Sequence, residues 1–223
     1  MQFRYAPDIR TAFPQLQSRV LLVDGIDAKA DPTIEISRLT AIADERLVSA
    51  SEGELPEIQA WRRAFSAMGL KPTHYRCASE ALLRRYRKEG VLPALHPLVD
   101  LCNAASLAFA IPVAAFDTAR IDGVMTVRRA HGDETYETFS GEIEHPESGE
   151  IVFVDDVSRA HARRWTNRQS GWSAVRQETA QALIVSEALH ETASNDVAGL
   201  ITSLIEALTA IWPCSTITRN EPL

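Results

Sequence analysis

The sequence predicts an α+β domain, and three observations carry that prediction. Apolar residues recur at helical spacing in the first and last thirds of the chain. Short apolar runs about ten residues apart, punctuated by glycine, fill the stretch between them. A chain of 223 residues that is 45% hydrophobic can bury a proper core without disulfide or metal staples.

Residues 13–26, with Val20, Leu21, Leu22 and Val23 before Asp24-Gly25, predict a strand ending in a turn. From Ile34 to Val48 the apolar residues Ile34, Leu39, Ile42 and Leu47 give a helix, and the polar run before Pro56 gives a loop. Pro56 opens a helix with Trp61, Ala64, Phe65 and Met68 on one face and Gly69 at its end. Ser79 to Gly90 is a shorter helix, with the serine set to accept a first-turn N–H. Pro93 and Pro97 bracket an extended piece, and Val99 to Phe109 is apolar with small residues, as a domain interior requires. Four short strands follow, in IPVAAFD, VMTVRRA, YETFSGEI and GEIVFVDD, separated by Gly123, Gly132, Gly141 and Gly149. Two helices are expected to close the chain, about Val175 to Glu191 and about Asp196 to Trp212, the second capped by Asn195. The organisation expected is residues 1–55 as an N-terminal strand and helix extension packed on the core of residues 56–223, as one compact unit.

Composition narrows the function classes. Cys77, Cys102 and Cys214 are an odd number, with no CxxC and no histidine at ligand spacing, so neither a disulfide framework nor a metal site is expected. No cofactor motif is present: there is no phosphate-cradling glycine loop, no GxSxG and no HExxH. With no basic-flanked apolar leader and no apolar run of about 18 residues, the expectation is a cytoplasmic protein without a membrane partner. A net charge of −7 opposes nucleic acid globally and leaves DNA out as a partner, but two local groups of cations stand against it. Arg84, Arg85, Arg87 and Lys88 form one, and Arg159, Arg163, Arg164 and Arg168 the other. Either is an RNA footprint, or the two are a solvated helix face and a loop.

The segments YRCASEALLRR (75–85), LPALHPLVDLCNAASL (92–107), IPVAAFD (111–117), VRRAHGDE (127–134) and GEIVFVDD through RRWTNRQS (149–170) occur in the order of a known domain. Together they resemble the B3/B4 domain family, as in the phenylalanyl-tRNA synthetase beta subunit and the small free-standing proteins built from that domain. The resemblance implies a three-layer β/β/α sandwich with a pocket between its halves. In the synthetase that pocket receives tyrosine wrongly attached to the phenylalanine tRNA and lets water cleave the ester, sorting by a hydroxyl that an apolar site discriminates poorly. Carried over by position, Asn103 matches the pocket asparagine, Cys102 stands where threonine is usual, Ala114 stands where histidine is usual, and Glu187 falls near the pocket glutamate.

The residues themselves add candidates and leave alternatives open. Glu187 shares a helical face with Ala180, Leu183 and Ile184, so it either points inward and needs a partner or faces water beside His190. A substrate ammonium or phenol, or an arginine from the second basic group, would serve as that partner. Trp165, Asn167, Arg168 and Trp172 combine rings, an amide and a planar cation suited to an amino acid or a base. The alternative is an ordered loop whose tryptophans plug the domain and whose arginines pair with Asp155 and Asp156; relatives also tend to carry tryptophan where Asn167 sits. His96, His131 and His161 are acid–base candidates only as any histidine is. Three functions remain: an aminoacyl-tRNA deacylase acting in trans on tRNA, a non-catalytic amino-acid or small-ligand binding module, and an RNA-binding accessory protein.

Overall fold

The computed structural model describes residues 1–220. In chain order the elements are β1 (Gln2–Tyr5), α1 (Pro7–Ala12), β2 (Gln17–Asp24), α2 (Thr33–Ser49), α3 (Pro56–Ala67), α4 (Ala78–Glu89), α5 (Pro97–Phe109) and β3 (Val113–Asp117). They continue through β4 (Val124–Arg129), β5 (Tyr136–Glu137), β6 (Ile143–Glu144), β7 (Ile151–Val154), β8 (Ala160–Arg163), β9 (Arg168–Gln169), β10 (Gln181–Ala188), α6 (Ala193–Ile211) and β11 (Thr216–Asn220). One sheet has the order β1-β4-β7-β8-β9, with β1 parallel to β4 and the other pairs antiparallel. The second, antiparallel throughout, has the order β11-β2-β10-β3.

Strand alternation divides the core into two layers. On β10, Leu183 and Val185 point between the sheets and pack with Phe3, Met125, Val127 and Phe153. The intervening Ala182, Ile184 and Ala188 point the other way, against Leu101 and Ala105 of α5 and Leu200 and Leu204 of α6. Sheet, sheet and helices thus form a three-layer β/β/α sandwich. Both faces of β10 are covered, so its sequence reads as a continuous apolar run rather than an alternating one. That is why the helix expected from Val175 to Glu191 is instead a strand over Gln181–Ala188: an apolar run buried on both faces satisfies either period. Its pairing with both β2 and β3 decides the matter.

Residues 1–55 are woven into both sheets. β1 lies beside β4, and β2 lies between β11 and β10. Pro56 opens α3, which buries Trp61, Ala64 and Phe65. α4 is capped backbone-to-backbone, Ala78 N–H donating to Thr166 O at 2.8 Å, rather than by Ser79. Gly90, at φ +73°, closes that helix in the left-handed conformation. α6 begins at Ala193 after Thr192, so Asn195 lies inside its first turn and is not the cap. Among the described residues no helix is long and apolar enough to cross a membrane.

Candidate functional site

Glu187 lies near the end of β10 with its side chain between the sheets, 2% exposed. Its Oε1 accepts the Tyr5 hydroxyl at 2.6 Å and the Trp165 indole N–H at 2.8 Å. Burial pushes the carboxyl pKa up to about 7, and the two donated bonds oppose that rise. Tyr5 is itself buried, and burial together with the Glu187 charge pushes its phenol well above the usual value. Arg10 covers the Tyr5 ring at 4.2 Å from its centroid. The partner that this buried carboxylate requires is therefore a phenol of the same chain, and none of the arginines expected from the sequence.

Trp165 is held firmly for this role. It is fully buried, stands edge-on to Trp61 and Phe13 at 5.0 and 4.8 Å between centroids, and its backbone N–H donates to Ile151 O at 2.7 Å. Arg164 and Trp165 both take positive φ, 47° and 58°, a costly backbone for residues with side chains. Around Glu187 a small cleft of about 70 Å³ is lined by Ala114, Phe116, Trp165, Asn167 and Arg168. Ala114 reaches it because β3 alternates, Ala114 and Phe116 pointing between the sheets and Val113 and Ala115 toward the helices. Asn167 and Arg168 have partners in the protein: Asn167 Nδ2 donates to Arg76 O at 2.8 Å, and Arg168 pairs with Glu144 at 3.2 Å. Trp172 lies elsewhere, beneath Arg120 and Arg159 and bonded to Arg120 O at 2.9 Å.

A second cleft of about 440 Å³ opens on the helix side of β3, lined among others by His96, Cys102, Asn103, Val113, Phe139 and Arg176. Among the described residues the Asn103 side chain makes no hydrogen bond, so its amide is available to a ligand. His96 starts α5, its Nδ1 accepting Leu98 N–H at 3.2 Å. Burial lowers its pKa, so the neutral ring keeps its hydrogen on Nε2, which is buried without a partner. Burial pushes the Cys102 thiol up to about 12, which leaves it protonated at neutral pH and no nucleophile.

The two clefts adjoin. Val113 and Gln169 line both, and Gln169 Nε2 crosses the edge of β3 to donate to Ala115 O at 2.7 Å. Residues expected around one pocket thus surround a strand: Cys102 and Asn103 on the helix side, Ala114, Trp165, Asn167, Arg168 and Glu187 between the sheets. Sequence reasoning missed Tyr5, although QFRY, with Phe3 and Tyr5 alternating against Gln2 and Arg4, carries the signal of a half-buried strand. It also missed Phe139 and Arg176, whose loops reach the larger cleft only through tertiary folding.

The basic groups are largely paired. Buried Glu52 holds both Arg84 at 2.8 Å and Arg87 at 3.0 Å, and Arg85 meets Glu89 at 2.9 Å, while Lys88 is exposed at the end of α4. Arg163 is buried and takes both Glu150 oxygens at 2.9 Å, and Arg164 lies 4.8 Å over the Tyr75 ring. The acids paired with Arg163 and Arg168 are thus Glu144 and Glu150, in place of the Asp155 and Asp156 expected from the sequence. Asp155 instead accepts from the backbone N–H groups of Val157 and Arg159 and faces His161 at 3.3 Å, where Ser173 completes a fully buried cluster.

Comparison with known proteins agrees with this architecture. No curated protein matches the chain. Among solved structures it is similar to the crystal structure of an N-terminal fragment of the phenylalanyl-tRNA synthetase beta-subunit from Pyrococcus horikoshii, with 10% identity and a TM-score of 0.53. That alignment covers 97% of this chain and 50% of the fragment, so the chain spans half its length and the likeness is one of fold. The family model of the B3/4 domain matches residues 60–202, more than half of the sequence and including both clefts' central strands. The chain belongs to the B3/4 domain family.

Proposed function

We propose that this chain recognises the aminoacyl end of a tRNA and, acting in trans, hydrolyses the ester of a wrongly attached amino acid. The observation that carries the reading is the 440 Å³ cleft beside β3, where the unbonded Asn103 amide meets an apolar wall of Leu95, Val99, Val113 and Phe139. Its volume lies in the range of small-molecule sites, whereas the 70 Å³ cleft at Glu187 is too small for an aromatic ring. The acyl side chain therefore belongs in the larger cleft. An apolar amino acid fits better than tyrosine, because Tyr5 already gives Glu187 a phenol. The chemistry asks little of the protein: water adds to the ester carbon, the bond to the ribose oxygen breaks, and that oxygen leaves with a proton. Positioning the water and the carbonyl supplies most of the acceleration such a labile ester needs. The fold likeness to a tRNA synthetase fragment supports tRNA as the partner, with Arg84, Arg85, Arg87, Lys88 and Arg164 as candidate phosphate contacts.

A panel of misacylated tRNAs tests the reading. Release of at least one apolar amino acid should exceed the buffer rate, and Asn103→Ala should slow it about tenfold, the cost of roughly one lost hydrogen bond. No release from any member of the panel would overturn it. A second reading, amino-acid recognition without hydrolysis, is favoured by Ala114 at the position where the family's imidazole is usual. A stable complex with aminoacyl-tRNA that protects the ester would establish that reading instead.

A further inference from the structure

Far from β3 in the sequence, three elements bring together an imidazole and two carboxylates. Glu57 lies in the first turn of α3, His190 just beyond β10, and Asp196 in the first turn of α6. Each can offer one ligand atom such that all three lie within 4.8 Å of one another. Glu57 and His190 are 7% and 5% exposed.

The hydrogen bonding around them is incomplete in a specific way. Glu57 Oε1 accepts from Arg46 Nη2 at 2.6 Å, but the buried Oε2 has no partner. His190 Nε2 and Asp196 Oδ2 stand 2.8 Å apart, and one ion can take both atoms in place of the hydrogen they share. A buried carboxylate oxygen with no donor is costly, and a cation that accepts its electron pair removes the cost. Thr192 Oγ1, 2.5 Å from Asp196 Oδ2, and Arg46 on Glu57 Oε1 hold the two carboxylates as outer groups hold metal ligands.

We propose that Glu57, His190 and Asp196 form a binding site for one divalent transition-metal ion. One imidazole nitrogen with carboxylate oxygens and no thiolate is a donor set for manganese, iron, cobalt or zinc rather than for calcium or copper(I). Glu57, Asp196 and Arg46 sum to one negative charge, which a dication turns into one positive charge. Asp196, with 38% of its side chain exposed, provides the route in from solvent. A bound ion would join the start of α3, the end of β10 and the start of α6.

The test uses the full chain, stripped with chelator and titrated with Mn²⁺, an ion that ignores the exposed thiol of Cys214. Calorimetry and thermal unfolding are followed together. Uptake of one Mn²⁺ per chain with a raised Tm is expected, weakened by about tenfold or more in His190→Ala and in Asp196→Asn. The acidic turn at His131, Asp133 and Glu134 is the control: His131→Ala should leave binding unchanged. The proposal is overturned if the native chain takes up no stoichiometric ion, if uptake survives both substitutions, or if His131→Ala abolishes it. Should His190→Ala fail to fold, Asp196→Asn decides the outcome alone, with circular dichroism confirming its fold.

Discussion

At the scale of single residues, the Glu187 carboxyl dominates. In the unfolded chain it loses its proton near 4.5, while in the folded chain it keeps it to about 7. Between those values the folded state binds more protons, so stability falls as pH rises and the loss is complete above about pH 7. The total is roughly 3 kcal/mol. Glu187→Gln keeps an oxygen for Tyr5 and Trp165 and removes the titration. Urea unfolding should find the variant more stable relative to the native protein at pH 8 than at pH 5, and an equal difference at both would contradict the assignment. The sequence left Glu187 either pointing inward or facing water beside His190, and the structure takes the inward option. Leu183 and Glu187 are four apart, a spacing that shares a face in a helix and in a strand alike, whereas Ile184, grouped with them on the helical reading, faces the helices in the strand. The partner of Glu187, Tyr5, was not legible, because nothing local links two residues 182 positions apart.

At the scale of elements, what local chemistry punctuates was readable and what long-range pairing creates was not. Pro56 and Gly69 bound α3, and Gly90 ends α4, because proline and glycine act on their own backbone. Strands β1 and β11 lie at sheet edges and their pairing partners lie far along the chain, while β9 is only two residues long. The split of the candidate site follows from the same limit: the pattern VDLCN…AFD fixes spacing, while the side of β3 that each residue faces depends on how α5 lies against the sheet. One contact that shapes the larger cleft is Gly171, where a Cβ would stand 2.6 Å from Thr138 O and 3.1 Å from Phe139 Cα. Gly171→Ala should cost about 1–3 kcal/mol by forcing that backbone apart, measured by denaturant unfolding. A neutral effect would show that the two loops are not packed as described.

At the scale of the whole molecule, charge and layering set the terms for any RNA partner. The net charge of −7 and the pairing of Arg84, Arg85 and Arg87 with Glu52 and Glu89 leave few free cations for phosphates, so the proposed recognition would rest on the aminoacyl end. The proposed site lies at the outer edge of β3, the one strand of its sheet that both clefts share, where Phe116 bridges Ala174 and Gln169 reaches Ala115 O. The most direct measurement is calorimetric titration of the native chain with a non-hydrolysable 3′-aminoacylamino-adenosine bearing an apolar amino acid, which reads binding apart from turnover. Saturable one-to-one binding that Asn103→Ala weakens by about tenfold is the result predicted. An absence of binding, or binding that Asn103→Ala leaves unchanged, would contradict the placement of the aminoacyl group beside β3.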